Sequence, residues 1–209
     1  MAAASDPGRM WDRRFAEQGW PTEPDPLLVE LVTTLPPGRA LDLGSGPGRN
    51  SLWLSARGWR VTALDASAVG LAMARERAAG LGLALETVQA DVLRWSPPVA
   101  AFELVVVANL HPGSAELPGV LARAVDALVV GGHLFVVGHD LADLGRHGPP
   151  DPDRLFTVDA LAAALPGHVA VERLERRERP PDDSADPGAS EVAVLAWGRR
   201  TAAGPAAAR

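Results

Sequence analysis

The sequence predicts an α/β fold in which a mostly parallel sheet carries helices on both faces. Short apolar runs alternate with longer helix-forming segments along the 209 residues, and this alternation is typical of strand–helix units. The apolar run Phe102–Ala108 is what a central strand buried on both faces requires. The length fits one domain of ordinary size.

Each strand is predicted where a short apolar run is bounded by glycine, proline or an acidic residue. The predicted strands are, in chain order, Arg39–Leu43, Arg60–Leu64, Ala84–Gln89, Phe102–Ala108, Leu134–Val137, Val169–Leu174 and Val192–Trp197. The last two are expected to pair with each other.

Helices are predicted between these strands because good helix formers are followed there by stop signals. Gly80 and Gly82 end one helix, Gly131 and Gly132 end another, and Thr157 is suited to cap a third. The predicted helices are Met10–Gln18, Pro26–Leu35, Ser51–Arg57, Ala68–Ala79, Leu117–Val129 and a segment from Thr157 to Leu165.

We expect three parts: N-terminal helices at 1–36 that form a lid, a central domain at 37–198 and a flexible tail at 199–209. The glycine- and proline-rich connection Leu141–Asp153 is too long for a simple turn, and it is predicted to cover the site as well. The acidic, proline-rich stretch Pro180–Ser190 is predicted to be a mobile loop.

The composition excludes several classes of function. The chain has no cysteine, which removes disulfides, thiolate nucleophiles and zinc–thiolate sites. Its 20 basic residues are all arginine, and without lysine neither Schiff-base chemistry nor a P-loop is available. A net charge of −6 argues against a nucleic-acid partner. No membrane-length apolar run or signal pattern is present, so we expect a cytoplasmic protein without a membrane partner.

The most informative stretch is the glycine-rich turn after the first strand, Asp42–Asn50, with the letters DLGSGPGRN. Such a turn at the start of a helix lets a ligand approach the backbone. Gly44 and Gly46 match the first two glycines of the dinucleotide fingerprint, but Arg49 stands where the third is needed for close packing. Pro47 also removes one amide donor from the turn. An NAD-binding function is therefore disfavoured.

A different spacing fits better: acidic-x-Gly-x-Gly-x-Gly, formed by Asp42, Gly44, Gly46 and Gly48. It resembles the first motif of class I S-adenosylmethionine-dependent methyltransferases. The run RALDLGSGPGRNSLWLSARGWRVTALDASAVGLAMA and the opening MWDRRFAEQGW resemble the tellurite- and thiopurine-methyltransferase-like branch, as does the segment Leu128–Asp140. The sequence departs from that branch at Ser45, where cysteine is common, and in the segments VVANLHPG and HDLADLGRHGPPDP.

The resemblance implies a Rossmann-like, seven-stranded, mostly parallel sheet whose last strand is antiparallel. It implies S-adenosyl-L-methionine as the cofactor, with Asp65 at the ribose and Asp91 with Val92 at the adenine. Trp11 and Arg14 are expected to fold over the cofactor, although Trp11 fits an apolar helix face equally well. Asp65 and Asp91 also fit helix-capping or turn positions. The candidate cofactor residues are Trp11, Arg14, Asp42, Gly44, Ser45, Gly46, Gly48, Asn50, Asp65, Ala66, Asp91, Val92 and Asn109.

Candidates for a catalytic base follow the fourth and fifth strands: His111, His139 and Asp140. The carboxyl ends of strands are where sites form in open α/β sheets. A hydroxyl or amine acceptor needs such a base, whereas a thiol needs little more than positioning. Each histidine also fits a packing or loop role. No histidine pair has the spacing of a metal site.

The sequence therefore predicts an enzyme that methylates a small-molecule acceptor, as a monomer or homodimer. The alternative is a regulatory protein that binds the cofactor without turnover. The arginines of segment 173–179 alternate with glutamates, which indicates a solvated strand face rather than an anion site.

Overall fold

The computed structural model describes residues 7–181 and 190–202. In these two segments the strands are β1 (Arg39–Leu43), β2 (Arg60–Asp65), β3 (Glu86–Gln89), β4 (Phe102–Ala108), β5 (Leu128–His139), β6 (Val169–Arg179) and β7 (Glu191–Arg200). They form one sheet in the order β3-β2-β1-β4-β5-β7-β6. The predicted tail and acidic loop lie largely outside the described residues.

The strands β1 to β5 pair in parallel. The last strand, β7, is antiparallel to both of its neighbours, β5 and β6. The predicted fold class, including the antiparallel last strand, is confirmed. Because β1 to β5 run in the same direction, the residues that follow them meet at one edge of the sheet.

Helices cover both faces of this sheet. They are α1 (Pro7–Glu17), α2 (Pro26–Val32), α3 (Arg49–Ala56), α4 (Ala68–Gly80), α5 (Leu117–Ala127) and α6 (Val158–Ala164). Alternate residues of the central strands belong to two apolar cores: Val105 and Val107 pack with α5 and α6, whereas Leu104 and Val106 pack with α2 and Leu54 of α3. No helix in the described part of the chain has the length and apolarity to span a bilayer.

The strand bounds of β1 and β4 are as predicted, but the later elements differ. The predicted helix Leu117–Val129 ends at Ala127, and β5 starts directly at Leu128. The register between β4 and β5 shifts near Phe102, which accommodates the glycines that were interpreted as a helix stop. Strand β6 extends five residues beyond the predicted Leu174, to Arg179, because its charged residues find partners.

Candidate functional site

Five strand ends place the predicted site residues along the same edge of the sheet. The glycine turn follows β1, Asp65 ends β2, Asp91 follows β3, His111 follows β4 and His139 ends β5. The edge divides into a predicted cofactor side, at β1 to β3, and a predicted acceptor side, at β4 and β5 with the neighbouring ends of β6 and β7.

The glycine turn is a backbone cradle with little side-chain material. The amides of Gly44 and Ser45 both donate to the carbonyl of Leu64, at 2.8 and 3.0 Å. Gly44 has a φ of +72°, and a Cβ there would lie 3.0 Å from Cδ1 of Leu110, so glycine is required for both reasons. The hydroxyl oxygen of Ser45 is buried and has no hydrogen-bond partner among the described residues. An unpartnered buried oxygen in a bare turn fits a site for a polar ligand.

Asp65 ties the turn to the start of α4. Its Oδ2 accepts a hydrogen bond from the amide of Gly46, and its Oδ1 accepts one from the amide of Ser67, both at 2.8 Å. Burial raises the pKa of Asp65, and these two amide bonds oppose the rise. Ala66, another candidate cofactor residue, lies between Asp65 and Ser67 in the sequence. A carboxylate has about four acceptor positions, so Asp65 retains the capacity to accept bonds from a ligand's hydroxyl groups.

Asp42 is buried within β1 and joins that strand to α3. Its Oδ2 accepts a hydrogen bond of 2.6 Å from the hydroxyl of Ser51. Burial raises the pKa of Asp42 to about 6, although the Ser51 bond and the charge of Arg49 lower it. The contact fixes Asp42, one of the candidate cofactor residues, against the first turn of α3. Asn50, one of the candidate cofactor residues, instead uses its Oδ1 to accept the amide of Asp25, at 2.9 Å.

Replacing Asp42 with asparagine is expected to change how stability depends on pH. Between the ordinary Asp pKa of 3.8 and the folded-state value of about 6, the folded protein holds a proton that the unfolded chain releases. Stability contributed by wild-type Asp42 is therefore present below pH 3.8 and lost as the pH rises to about 6, at about 1.4 kcal/mol per pH unit. The Asp42→Asn variant has no carboxyl group at this position, so its stability does not fall in this way as the pH rises. Denaturant unfolding of both proteins from pH 4 to 7 measures it, and parallel curves would contradict the prediction.

Asp91 and Val92 follow β3 beside the end of β2, since the amide of Ala90 donates to the carbonyl of Asp65 at 3.0 Å. Oδ1 of Asp91 accepts the amide of Leu93 at 2.9 Å, the turn role that the sequence left open. The carbonyl of Val92 accepts a bond from Arg123. The geometry therefore brings Asp65, Asp91 and Val92 together.

Helix α1 lies over the glycine turn. The ring of Phe15 contacts Gly46 and Gly70 so closely that a Cβ at either position would lie about 3 Å from it. Trp11 stacks on Phe15 with ring centres 5.5 Å apart, as the apolar-face alternative predicts. The guanidinium of Arg14 lies 4.8 Å from the centre of the Trp11 ring.

Asp12, which the sequence analysis did not single out, fixes α1 to the start of α4. Its Oδ1 accepts hydrogen bonds from the hydroxyl of Ser67, at 2.6 Å, and from the amide of Val69, at 3.0 Å. Ser67 and Val69 belong to the N-terminal turn of α4, where a carboxylate is favoured. Asp12 therefore fixes α1 to the start of α4, next to the turn.

On the acceptor side, Arg179 at the end of β6 is 3% exposed and joins three elements. It forms ion pairs with Asp25 and Glu191, the latter at 2.6 Å, and donates to Oδ1 of Asn109 at 2.8 Å. The prediction that segment 173–179 is a solvated strand face is wrong at this residue. At the end of the strand, two buried carboxylates compensate the charge of Arg179.

His139 ends β5 next to this cluster, and Asp140 follows it. Nδ1 of His139 lies 3.4 Å from Oε2 of the buried Glu191. Asp140 is fully buried, accepts the amide of Ala142 at 2.7 Å and pairs with Nε of Arg176 at 2.7 Å. These contacts give Asp140 a capping and ion-pair role.

His111 stacks on His139, with ring centres 5.2 Å apart and planes 22° apart. Its Nδ1 lies 2.8 Å from the carbonyl oxygen of Arg154, and Nε of Arg154 donates to the carbonyl of His111 at 2.8 Å. Burial, followed by the neighbouring His139, lowers the pKa of His111 to about 3. The ring is therefore neutral at physiological pH.

The residues that sequence reasoning missed are Asp12, Asp25, Arg154 and Glu191. Only Asp25 carries a local signal, because an aspartate before Pro26 is typical of a helix start, and Oδ1 of Asp25 does cap α2 through the amide of Leu27. The other three act through partners far away in the sequence.

A family model described as "Methyltransferase domain" matches residues 40–132. The trans-aconitate 2-methyltransferase of Paracidovorax citrulli (strain AAC00-1) is 33% identical over 171 residues, which are 80% of this chain and 50% of that protein. The chain spans about half the length of the curated relatives that it matches first.

Two solved structures share the fold. One, from work on the conversion of a disulfide bond into a thioacetal group during echinomycin biosynthesis, has a TM-score of 0.75 at 21% identity, over 93% of this chain and 92% of the other. The N-methyltransferase NodS from Bradyrhizobium japonicum WM9, in complex with S-adenosyl-L-homocysteine, has a TM-score of 0.65 at 19% identity, over 95% and 93% of the two chains.

Proposed function

We propose that this chain, which carries a methyltransferase domain over residues 40–132, transfers a methyl group from S-adenosylmethionine to a small-molecule acceptor. The observation that carries the proposal is the glycine turn held by Asp65, with the buried, unpartnered hydroxyl of Ser45 inside it. The named activity of the trans-aconitate relatives and the S-adenosylhomocysteine bound to NodS support the same function.

The turn suits the amino-acid end of the cofactor. That end is zwitterionic and carries no phosphate, so neutral backbone groups at Gly44 to Gly46 and the hydroxyl of Ser45 are appropriate partners. Gly48 and Asn50 lie at the start of α3. Oδ1 of Asn50 already accepts the amide of Asp25, so we assign these two residues to supporting the turn rather than to contacting the cofactor.

Asp65 and Asp91 suit the nucleoside end. Asp65 would accept bonds from the ribose hydroxyls with acceptor capacity that its two amide contacts leave free. Asp91, with one oxygen held by Leu93, would accept from the adenine amino group, beside the amide of Val92. When bound, S-adenosylmethionine supplies a methyl group that its sulfonium already activates, so the chain chiefly positions the reactants.

The N-terminal helices would act as the lid of this site. The ring of Phe15 already lies against Gly46, and hydrogen bonds of Asp12 hold α1 to the start of α4. In this role α1 excludes water from the reacting groups, while Trp11 and Arg14 line its outer side. Assignment to the tellurite- and thiopurine-methyltransferase-like branch stays a prediction, as do the monomeric or dimeric state, the absence of nucleic-acid and membrane partners, and the cytoplasmic location.

The test is titration calorimetry with S-adenosylmethionine and S-adenosylhomocysteine, with NADH as the control ligand. We expect micromolar binding of the first two and none of NADH, because Arg49 stands where the dinucleotide fingerprint needs its third glycine and Pro47 removes one amide donor from the turn. Binding followed by release of S-adenosylhomocysteine with an added acceptor supports an enzyme. Binding without transfer to any acceptor would favour the regulatory alternative, and absence of binding would overturn the proposal.

A further inference from the structure

The acceptor side contains a buried nitrogen that the proposed cofactor contacts do not use, Nε2 of His111. The residue is 8% exposed, and this nitrogen has no hydrogen-bond partner within residues 7–181 and 190–202. A buried polar atom without a partner is uncommon in folded proteins and indicates a ligand or a functional contact.

The other nitrogen of the ring decides which form the imidazole takes. Nδ1 lies 2.8 Å from the carbonyl oxygen of Arg154, and a carbonyl oxygen only accepts hydrogen bonds. Nδ1 must therefore carry the hydrogen, and in a neutral ring Nε2 must then carry the lone pair. The bond that Arg154 returns to the carbonyl of His111 fixes both residues in this arrangement.

The surrounding charges favour a neutral His111. His139 stacks on the ring from β5, and its proximity disfavours a positive charge on His111. The positive charges of Arg154 and Arg179 also disfavour a second positive charge on His111. Nε2 of His111 is consequently a hydrogen-bond acceptor.

His111 follows a residue that contacts the glycine turn. The preceding residue, Leu110, packs on Gly44, with Cδ1 3.0 Å from the place a Cβ would take there. Strand β4, which leads to both residues, pairs directly with β1, which leads to the turn. A molecule held at His111 is thus next to the part of the site that would hold the cofactor's reactive end.

We infer that Nε2 of His111 accepts a hydrogen bond from the methyl acceptor, and that the acceptor is a hydroxyl or amine compound whose reacting oxygen or nitrogen carries a hydrogen. This inference rests on the proposed function and assigns its substrate class. A fully ionised carboxylate carries only lone pairs and no hydrogen to donate, so the lone pair of Nε2 would repel it.

The assignment gives a balanced transfer. The acceptor's oxygen or nitrogen forms a bond to the methyl carbon while the sulfur–methyl bond breaks and its electron pair remains on sulfur. The acceptor atom becomes strongly acidic as the new bond forms, so even a weakly basic imidazole can take its proton. The proton passes to Nε2 and is lost to water when the product leaves, because burial disfavours the charged ring.

The first test measures the ring itself, independently of any acceptor. Nitrogen-15 NMR of histidine-labelled protein, with His111 assigned by comparison with His111→Asn, separates protonated from unprotonated ring nitrogens. We expect a hydrogen on Nδ1 and none on Nε2 from pH 5 to 8. A hydrogen on Nε2, or a titration near pH 6.5, would overturn the inference.

The second test uses substitutions that separate the two nitrogens. In His111→Asn the amide nitrogen can replace Nδ1 as donor to Arg154, while Nε2 is lost. The matched control is His133→Asn, in the middle of β5, where His133 stacks on Trp197. We measure release of S-adenosylhomocysteine with a phenol, an alcohol and a primary amine as probes, and with trans-aconitate and benzoate as carboxylate probes.

We expect wild-type turnover with at least one hydroxyl or amine probe, and a loss of about 100-fold or more in kcat in His111→Asn, with unchanged affinity for S-adenosylmethionine. His133→Asn should match the wild type. Turnover of carboxylates alone, or equal activity of His111→Asn and the wild type, would overturn the assignment of substrate class while leaving methyl transfer intact. Failure of the wild type to bind S-adenosylmethionine would instead overturn the proposed function, and this inference with it.

Discussion

Replacing Arg179 with methionine is expected to lower the free energy of unfolding by about 3–5 kcal/mol. The substitution keeps an unbranched side chain but leaves the carboxylates of Asp25 and Glu191 buried without their cation. Both members of each pair are almost fully buried, with side-chain exposures of 1% for the arginine and 0% for the acids. Removing one partner leaves an uncompensated buried charge, which is much more costly than the net value of the pair. Denaturant unfolding at neutral pH measures the loss.

The same strand offers a matched control two residues earlier. Arg177 pairs with Glu30, but the two side chains are 29% and 44% exposed, so water screens the pair. Arg177→Met is expected to cost no more than about 1 kcal/mol. Similar losses in the two variants would contradict the buried-charge argument.

If Arg179→Met does not fold, a combined variant keeps the argument testable. Arg179→Met with Asp25→Asn and Glu191→Gln removes the whole charged cluster and is expected to recover much of the lost stability, because a buried ion pair contributes little net free energy. A combined variant as unstable as the single one would mean that the three side chains matter for packing rather than for charge.

The sequence predicted best those features that short-range patterns determine. The bounds of β1 and β4 are correct because buried parallel strands are apolar runs that end at sharp signals, such as the glycine turn. The positions of Asp65 and His111 at one edge follow from the direction of parallel strands, before any contact is known. Thr157 caps α6 as predicted, with its hydroxyl accepting the amide of Ala160.

The features that the sequence did not reveal depend on contacts between distant residues. Arg179 and Asp25 are 154 positions apart, and in the sequence Arg179 is only the last member of an alternating charged segment. The same pattern describes the partly exposed Arg177 and the buried Arg179, because charge alternation does not indicate which residues of a strand are covered. Asp12 was missed for the same reason, since its partners lie 55 and 57 positions away.

On the predicted acceptor side, the cluster expected to stabilise the fold is also in contact with the residues proposed for the site. Arg179 ties the N-cap of α2 to the start of β7 and to Asn109, and Asn109 lies two residues before His111. Glu191 then faces His139, which stacks on His111. The buried charges are thus connected, through His139, to the ring whose nitrogen we assign to the acceptor.

On the cofactor side, Asp65→Ala is expected to weaken binding of S-adenosylhomocysteine by about 2 kcal/mol or more, or roughly 30-fold. The substitution removes the proposed acceptor for the ribose hydroxyls and frees the amide of Gly46, so the turn loses a contact that orients it. Titration calorimetry measures the affinity, and thermal unfolding checks that the variant is folded at the temperature used.

The control is Glu103→Ala, which removes a carboxylate from the neighbouring part of the sheet. Glu103 pairs with Arg39 near the amino ends of β1 and β4, at the edge opposite the proposed site, so its loss should leave the affinity unchanged. Unchanged affinity in Asp65→Ala would mean that its two amide bonds are its whole role. The carboxylate would then be a structural brace between the glycine turn and α4, and the ribose would need another partner at the end of β2.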